Sequence, residues 1–319
     1  MSEQIHLFII HLYAKIKAYY FNLININITL RTAMRKLKAL LDEQYSLKNT
    51  IDELQATKPD PLYVARFYTH SSYFAEIALL CALLSYGNAK AIVHLLQGFD
   101  FSLLQSIDTL SKRDVQDFSY YRFQTRADIK ALFEIIAAML ENGGLERLFL
   151  YHYKHPPKSL TLWNRSGNKS HARLIYGIYA CIESMLTIAQ KRGIVLTQGL
   201  SFALGTSHYE ILRACGNPPR NASALKRWAM LLRWLVRKDE LDVGCWQEHI
   251  SPADLILPLD THTFALCSKL KILARKSYDL QSALQATDTL AFLRPHDPVA
   301  YDFALYRIGQ GKVDITSFI

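Results

Sequence analysis

Apolar residues along this chain recur at helical spacing almost without interruption, and no stretch alternates with the two-residue period of a half-buried strand. That pattern restricts the chain to an all-α fold. Over 34–54, Leu37, Leu40, Leu41, Tyr45 and Leu47 mark an amphipathic helix, and Lys58-Pro59-Asp60-Pro61 must end it because proline lacks the backbone donor a helix needs. A largely apolar helix over 73–84 breaks at Tyr86-Gly87-Asn88 and resumes over 89–96. Further helices are expected over 106–112, 128–141 (closed by Asn142-Gly143-Gly144), 174–192, 223–235, from Asp260 onward, 279–293 and 298–309. The span 193–217 shows no clear period. The span 152–171 is polar and basic without one, which marks it as a linker or surface loop that could touch a phosphate backbone.

With 319 residues the chain can bury a large core, as one helical domain or as two lobes. A net charge of +9 and a pI near 9.2 suit an anionic partner, nucleic acid first among them, although the same charge would also serve solubility alone. The five cysteines, Cys81, Cys181, Cys215, Cys245 and Cys267, form no C-x-x-C pair, so neither a structural zinc nor a cysteine-ligated cluster has its usual spacing. No metal and no cofactor is expected. An odd cysteine count with no signal peptide fits a reducing cytoplasm. Residues 5–30 are apolar, but His6, His11, Lys15 and Lys17 interrupt them, and the uncharged run 18–30 is too short to span a bilayer. Membrane association is therefore not expected. Residues 1–33 read as an extension, with Met34 an alternative start, and 34–319 as the helical region proper.

Two residues between 223 and 270 break local expectation. With Ser223 as the N-cap of a basic amphipathic helix, Lys226 falls in the first turn, where the helix dipole disfavours a cation. A lysine held there should have a lowered pKa, which an amine nucleophile near neutral pH requires. Asp260 follows Pro258 and precedes a new helix, so its carboxylate is fixed at a helix start. An amine and a fixed carboxylate on adjoining elements suggest a Schiff-base-forming site. Taken one at a time, a solvated lysine and a plain capping aspartate are the bland alternatives.

The run Leu259-Asp260-Thr261-His262-Thr263-Phe264-Ala265-Leu266-Cys267 resembles the V-D-T-H-x-F-R-V-C segment of helix-hairpin-helix DNA glycosylases of the endonuclease III type, whose Asp is catalytic. Lys226 lies thirty-four residues before Asp260, a longer gap than in most of that superfamily but similar to that of the archaeal 8-oxoguanine DNA glycosylase branch. Stretches over 75–90, 226–237 and 297–305 are also similar to a bacterial family of unknown function. The resemblance implies a two-lobed helical fold with the site between the lobes and the catalytic helix-hairpin-helix segment near 210–275. Cys215-Gly216-Asn217-Pro218-Pro219-Arg220-Asn221 stands where the hairpin would be, without its G-x-G signature.

The same resemblance assigns further residues. Leu83-Leu84-Ser85-Tyr86-Gly87 resembles the element from which these glycosylases push a side chain into the DNA stack, so Tyr86 and Asn88 are expected at the substrate. Asp302, Tyr306 and Gly309 resemble a C-terminal helix in which an Asp reads the purine edge and an aromatic ring stacks on it; here Tyr stands in place of Trp. Arg220 and Arg227, with Arg233, Arg237 and Lys238, would supply phosphate contacts. Lys238 lies nearer the usual gap to Asp260, but at the end of its helix a charged lysine is comfortable. What the resemblance implies is a monomeric, cytoplasmic, nucleoid-associated enzyme that excises an oxidised purine, 8-oxoguanine first, from double-stranded DNA, with AP-lyase activity through Lys226. A monofunctional glycosylase and a non-enzymatic helical DNA-binding protein remain the alternatives. Tyr120-Tyr121-Arg122-Phe123-Gln124-Thr125-Arg126 mixes aromatic and basic residues in the manner of a base-stacking surface, or of an ordinary packed loop.

Overall fold

The computed structural model describes residues 31–55, 58–160 and 169–310, and among them every regular element is helical, with only two isolated β-bridges. Most of the expected 1–33 extension, and residues 161–168 of the expected loop, lie outside the described residues. In chain order the helices are α1 (31–48), α2 (Ile51–Leu54), α3 (Leu62–Arg66), α4 (Phe74–Leu83), α5 (Ala89–Gln97), α6 (Ile107–Ser111), α7 (Arg126–Glu141), α8 (Gly144–Lys154), α9 (Lys169–Lys191), α10 (Gln198–Leu204), α11 (Tyr209–Cys215), α12 (Lys226–Val236), α13 (Thr261–Lys269), α14 (Leu280–Leu293) and α15 (Asp302–Gln310). Two expectations need correction. The single helix expected over 34–54 is divided, because Thr50 is extended (φ −127°, ψ 151°) and starts α2 afresh. The unassigned span 193–217 holds α10 and α11, too short for a period to register.

Local chemistry explains where the helices begin. Asn88, Ser106, Thr197, Asp260 and Asp279 each accept a backbone N–H of the first turn, and Thr125 with Asp128 forms a reciprocal capping box on α7. Asp128 also accepts from the Thr197 hydroxyl at 2.6 Å, so the starts of α7 and α10 are tied together. Helix α8 has no capping side chain of its own. Buried Glu76 of α4 serves it instead, accepting from the Leu145 N–H at 2.7 Å, and a Cβ at Gly144 would crowd that carboxylate.

Helix α4 is buried on all sides and packs against α3, α7, α8 and α12. Helix α9 packs against α7, α8, α10 and α11. By length and composition the stretch His171–Lys191 could cross a membrane, but 67% of its apolar window is buried inside the protein, as in a core helix. A second set of contacts joins the first described helix to the last three: α13 packs on α15, α14 on the 3-10 turn Pro298–Tyr301, and Tyr301 donates to Asp42 of α1. Helix α12 packs on α4, and its Arg233 pairs with Asp302 at the start of α15.

Candidate active site

Helix α12 begins at Lys226, so the lysine occupies its first turn as the sequence predicts. The N-cap, however, is Leu225 rather than Ser223, and Leu225 adopts the left-handed conformation (φ +55°, ψ 29°) that non-glycine residues rarely take. Ser223 stands two residues before that cap, where its hydroxyl accepts from the Leu225 N–H at 3.4 Å. A strained residue held at the entrance to a helix is a feature that clusters at functional sites.

The Lys226 amine points to the end of α4 and donates to the Ser85 carbonyl at 3.5 Å. Asp260, Asp60 and Asp302 are its electrostatic neighbours, as is the Arg227 guanidinium. Burial holds the amine below the usual lysine range, and Arg227 adds to that, against the opposing pull of the three carboxylates. The carbonyl that accepts from Lys226 and the three carboxylates whose charge acts on it come from four segments far apart in sequence.

Each carboxylate is fixed differently. Asp260 caps α13, its Oδ1 accepting from the Thr263 N–H at 2.8 Å, while the buried run Leu255–Leu259 anchors the chain before it. Leu257 donates to Thr287 of α14 at 2.9 Å, and the Leu259 carbonyl accepts from Tyr278 at 2.9 Å. Asp302 starts α15, is 6% exposed and accepts from Arg233; burial raises its pKa, while Arg233 and Lys226 oppose the rise. Asp60 accepts from the Leu62 N–H at 2.9 Å in the turn between its two prolines. The Cys267 thiol also senses Asp302 and Asp260, and burial together with those charges pushes its pKa up to about 12. At neutral pH that thiol stays protonated, which leaves the amine as the stronger candidate nucleophile there.

The remaining sequence-predicted residues are spread around this centre. Tyr86 directly follows the lysine's carbonyl acceptor; its hydroxyl donates to Gln124, and burial raises its pKa to about 12. Asn88 is exposed and caps α5, accepting from Lys90 and Ala91 at 3.0 and 3.2 Å. Arg227 donates to the Leu83 and Phe202 carbonyls at 2.6 Å each, so it clamps α4 to α10, and burial lowers its pKa to about 10. Arg220 is exposed on the turn before the lysine helix. Tyr306 is partly buried, packing against Phe303 and under the Arg307 guanidinium. Lys238 lies two residues past the far end of α12 and is exposed, and the helix between Lys226 and Val236 alone spans about 15 Å.

Arg233 and Arg237 do not serve phosphate. Each is 3% exposed. Arg233 pairs with Asp242 and Asp302, and Arg237 with Asp239, Asp242 and Asp297. The basic face of α12 was legible in the sequence, but not the loop 239–242 that folds back over it and brings the carboxylates. Asp60 and the Ser85 carbonyl likewise carry no local signal of their place beside Lys226, beyond the position of Asp60 between Pro59 and Pro61. Among the described residues no group of three or more His, Cys, Asp or Glu is placed to hold a metal ion.

One family model matches, over residues 60–311, and its description is Protein of unknown function (DUF2400). The matched span contains every residue of the centre, from Asp60 to Asp302. No curated protein and no solved structure matches the chain.

Proposed function

We propose a catalytic role for this chain, which belongs to the DUF2400 family: it is a DNA glycosylase with AP-lyase activity, built on a helix-hairpin-helix glycosylase-like fold of two lobes. The observation that carries this reading is the Lys226 amine, lowered in pKa by burial and set among Asp260, Asp302 and Asp60. In this reading an extruded nucleotide enters beside Lys226, whose neutral amine attacks C1′. The C1′–N bond breaks with its electron pair leaving on the base, which takes up a proton. The nitrogen then gives up one proton, and the C1′–O4′ bond breaks with O4′ taking a proton, so the sugar ring opens to a protonated imine. Loss of a proton from C2′ expels the 3′ phosphate by β-elimination. Asp260, fixed by its helix, assists removal of the lysine proton and stabilises positive charge developing on the sugar. Asp302, buried and held by Arg233, supplies the same electrostatic support more readily than it reads a base edge. An oxidised purine, 8-oxoguanine first, is the proposed target on the strength of the family resemblance. Cytoplasmic, nucleoid-associated action as a monomer belongs to the same proposal.

The test is incubation with a panel of duplexes each carrying one lesion, comparing wild type with Lys226→Gln and Asp260→Asn. Wild type should release one class of damaged base and nick the strand, and Lys226→Gln should nick it on the order of a thousandfold more slowly. Incision unchanged in both variants would refute the site. Base release without strand nicking by wild type would turn the reading to a monofunctional glycosylase.

A further inference from the structure

Next to the amine lies a surface that the chemistry above leaves unused. Tyr121 and Gln124 exchange both backbone hydrogen bonds, at 3.0 and 2.8 Å, so Arg122 and Phe123 form a two-residue tip. Arg122 takes the left-handed conformation there, at φ +52°. The base of the tip is locked. Gln124 is fully buried, accepts from the Tyr86 hydroxyl and donates to the Gly199 carbonyl at 2.7 Å, while the Tyr121 hydroxyl donates to the Tyr86 carbonyl. Two glycines make room: a Cβ at Gly199 would strike the Phe123 carbonyl, and one at Gly87 would strike the Arg122 guanidinium.

A loop seated so firmly could have turned its phenylalanine inward, yet Phe123 is 55% exposed, and Phe202 beside it is 43% exposed. The Phe123 ring lies parallel to Tyr86, centroids 6.0 Å apart and planes within 4°, and Phe202 stands edge-on to both at 5.4 and 4.8 Å. Arg122 lies 5.6 and 5.4 Å from the Tyr86 and Phe123 ring centres, and Arg227 lies 5.8 and 5.0 Å from those of Tyr86 and Phe202. Backbone strain maintained in order to hold apolar rings in solvent indicates an occupant. Flat aromatic faces edged by guanidinium groups on a chain of net charge +9 match a nucleobase on its anionic backbone.

We propose that the Arg122-Phe123 tip, together with Phe202, is a stacking platform for an unpaired base of duplex DNA, so that the protein prefers DNA with interrupted stacking before any bond is cleaved. This rests on the DNA reading above, but it requires no catalysis. The test is fluorescence anisotropy at fixed salt with two labelled duplexes: one fully paired, the other carrying a tetrahydrofuran abasic analogue, which offers the Lys226 amine no aldehyde. Base–aromatic stacking predicts that wild type binds the interrupted duplex on the order of tenfold more tightly than the paired one. A Phe123→Ala/Phe202→Ala double variant, its fold checked by circular dichroism, should bring that ratio close to one, and Phe123→Trp should retain it. Equal binding of the two duplexes by wild type, or an undiminished ratio in the double variant, overturns the platform. Incision of a lesion duplex by that same wild-type protein would then leave the catalytic reading standing. Failure of wild type to bind either duplex overturns both.

Discussion

The two ends of helix α12 carry the same kind of charge and treat it in opposite ways. At the C-terminal end Arg233 and Arg237 are buried, but Asp239, Asp242, Asp297 and Asp302 pair with them at short range, leaving only the Arg233 Nη2 without a hydrogen-bond partner. At the N-terminal end Lys226 has one long hydrogen bond, to a carbonyl, and its carboxylate neighbours act from a distance without relieving the burial that lowers its pKa. The helix dipole sharpens the contrast, since it favours cations where the arginines lie and opposes one where the lysine lies. Ion-paired charge holds the structure together; the lysine, which has no carboxylate at ion-pair distance, is available for chemistry.

That contrast can be broken from either end. The largest effect is expected for Lys226→Gln, which should lower strand incision by on the order of a thousandfold while leaving the thermal midpoint unchanged or slightly higher, because a poorly solvated cation is removed. Asp260→Asn comes next. Asparagine caps a helix about as well as aspartate, so the fold should hold, while base release falls by on the order of a hundredfold or more, the scale of a lost electrostatic partner. At the other end Arg237→Met should leave Asp239, Asp242 and Asp297 without their shared cation and cost about 3–5 kcal/mol, seen as a midpoint lower by about 4–7 °C. A smaller effect should appear with pH. Because the folded pKa of Lys226 lies below 10.5, imine formation should rise as pH climbs through that lowered value and level off before 10.5. Across the same window the unfolded chain holds a proton that the folded chain has lost, so stability relative to Lys226→Met should also rise with pH. Smallest of all is Lys238→Gln, exposed beyond the helix end, for which incision should be unchanged and stability should move by less than about 0.5 kcal/mol.

Helical period and capping residues made much of this arrangement legible in advance. Asp260 caps α13 as local rules of helix starts require, and Lys226 falls in the first turn of α12, although as its first residue rather than its third. What local rules do not carry is the long-range return of the chain. The loop that neutralises Arg233 and Arg237, the approach of Ser85 to Lys226 across 141 residues, and the seating of the Arg122-Phe123 tip on Gly87 and Gly199 all depend on tertiary packing. Leu225 makes the same point on a smaller scale. Serine two residues earlier is the better cap by propensity, but packing of the chain entering α12 places a buried leucine there in a left-handed conformation.

The most direct measurement is borohydride reduction of wild-type protein incubated with an abasic-site duplex, followed by digestion and mass mapping of the cross-linked peptide. The account predicts a single adduct on the peptide containing Lys226. An adduct on Lys238 or elsewhere, or strand incision with no trapped adduct, would contradict it.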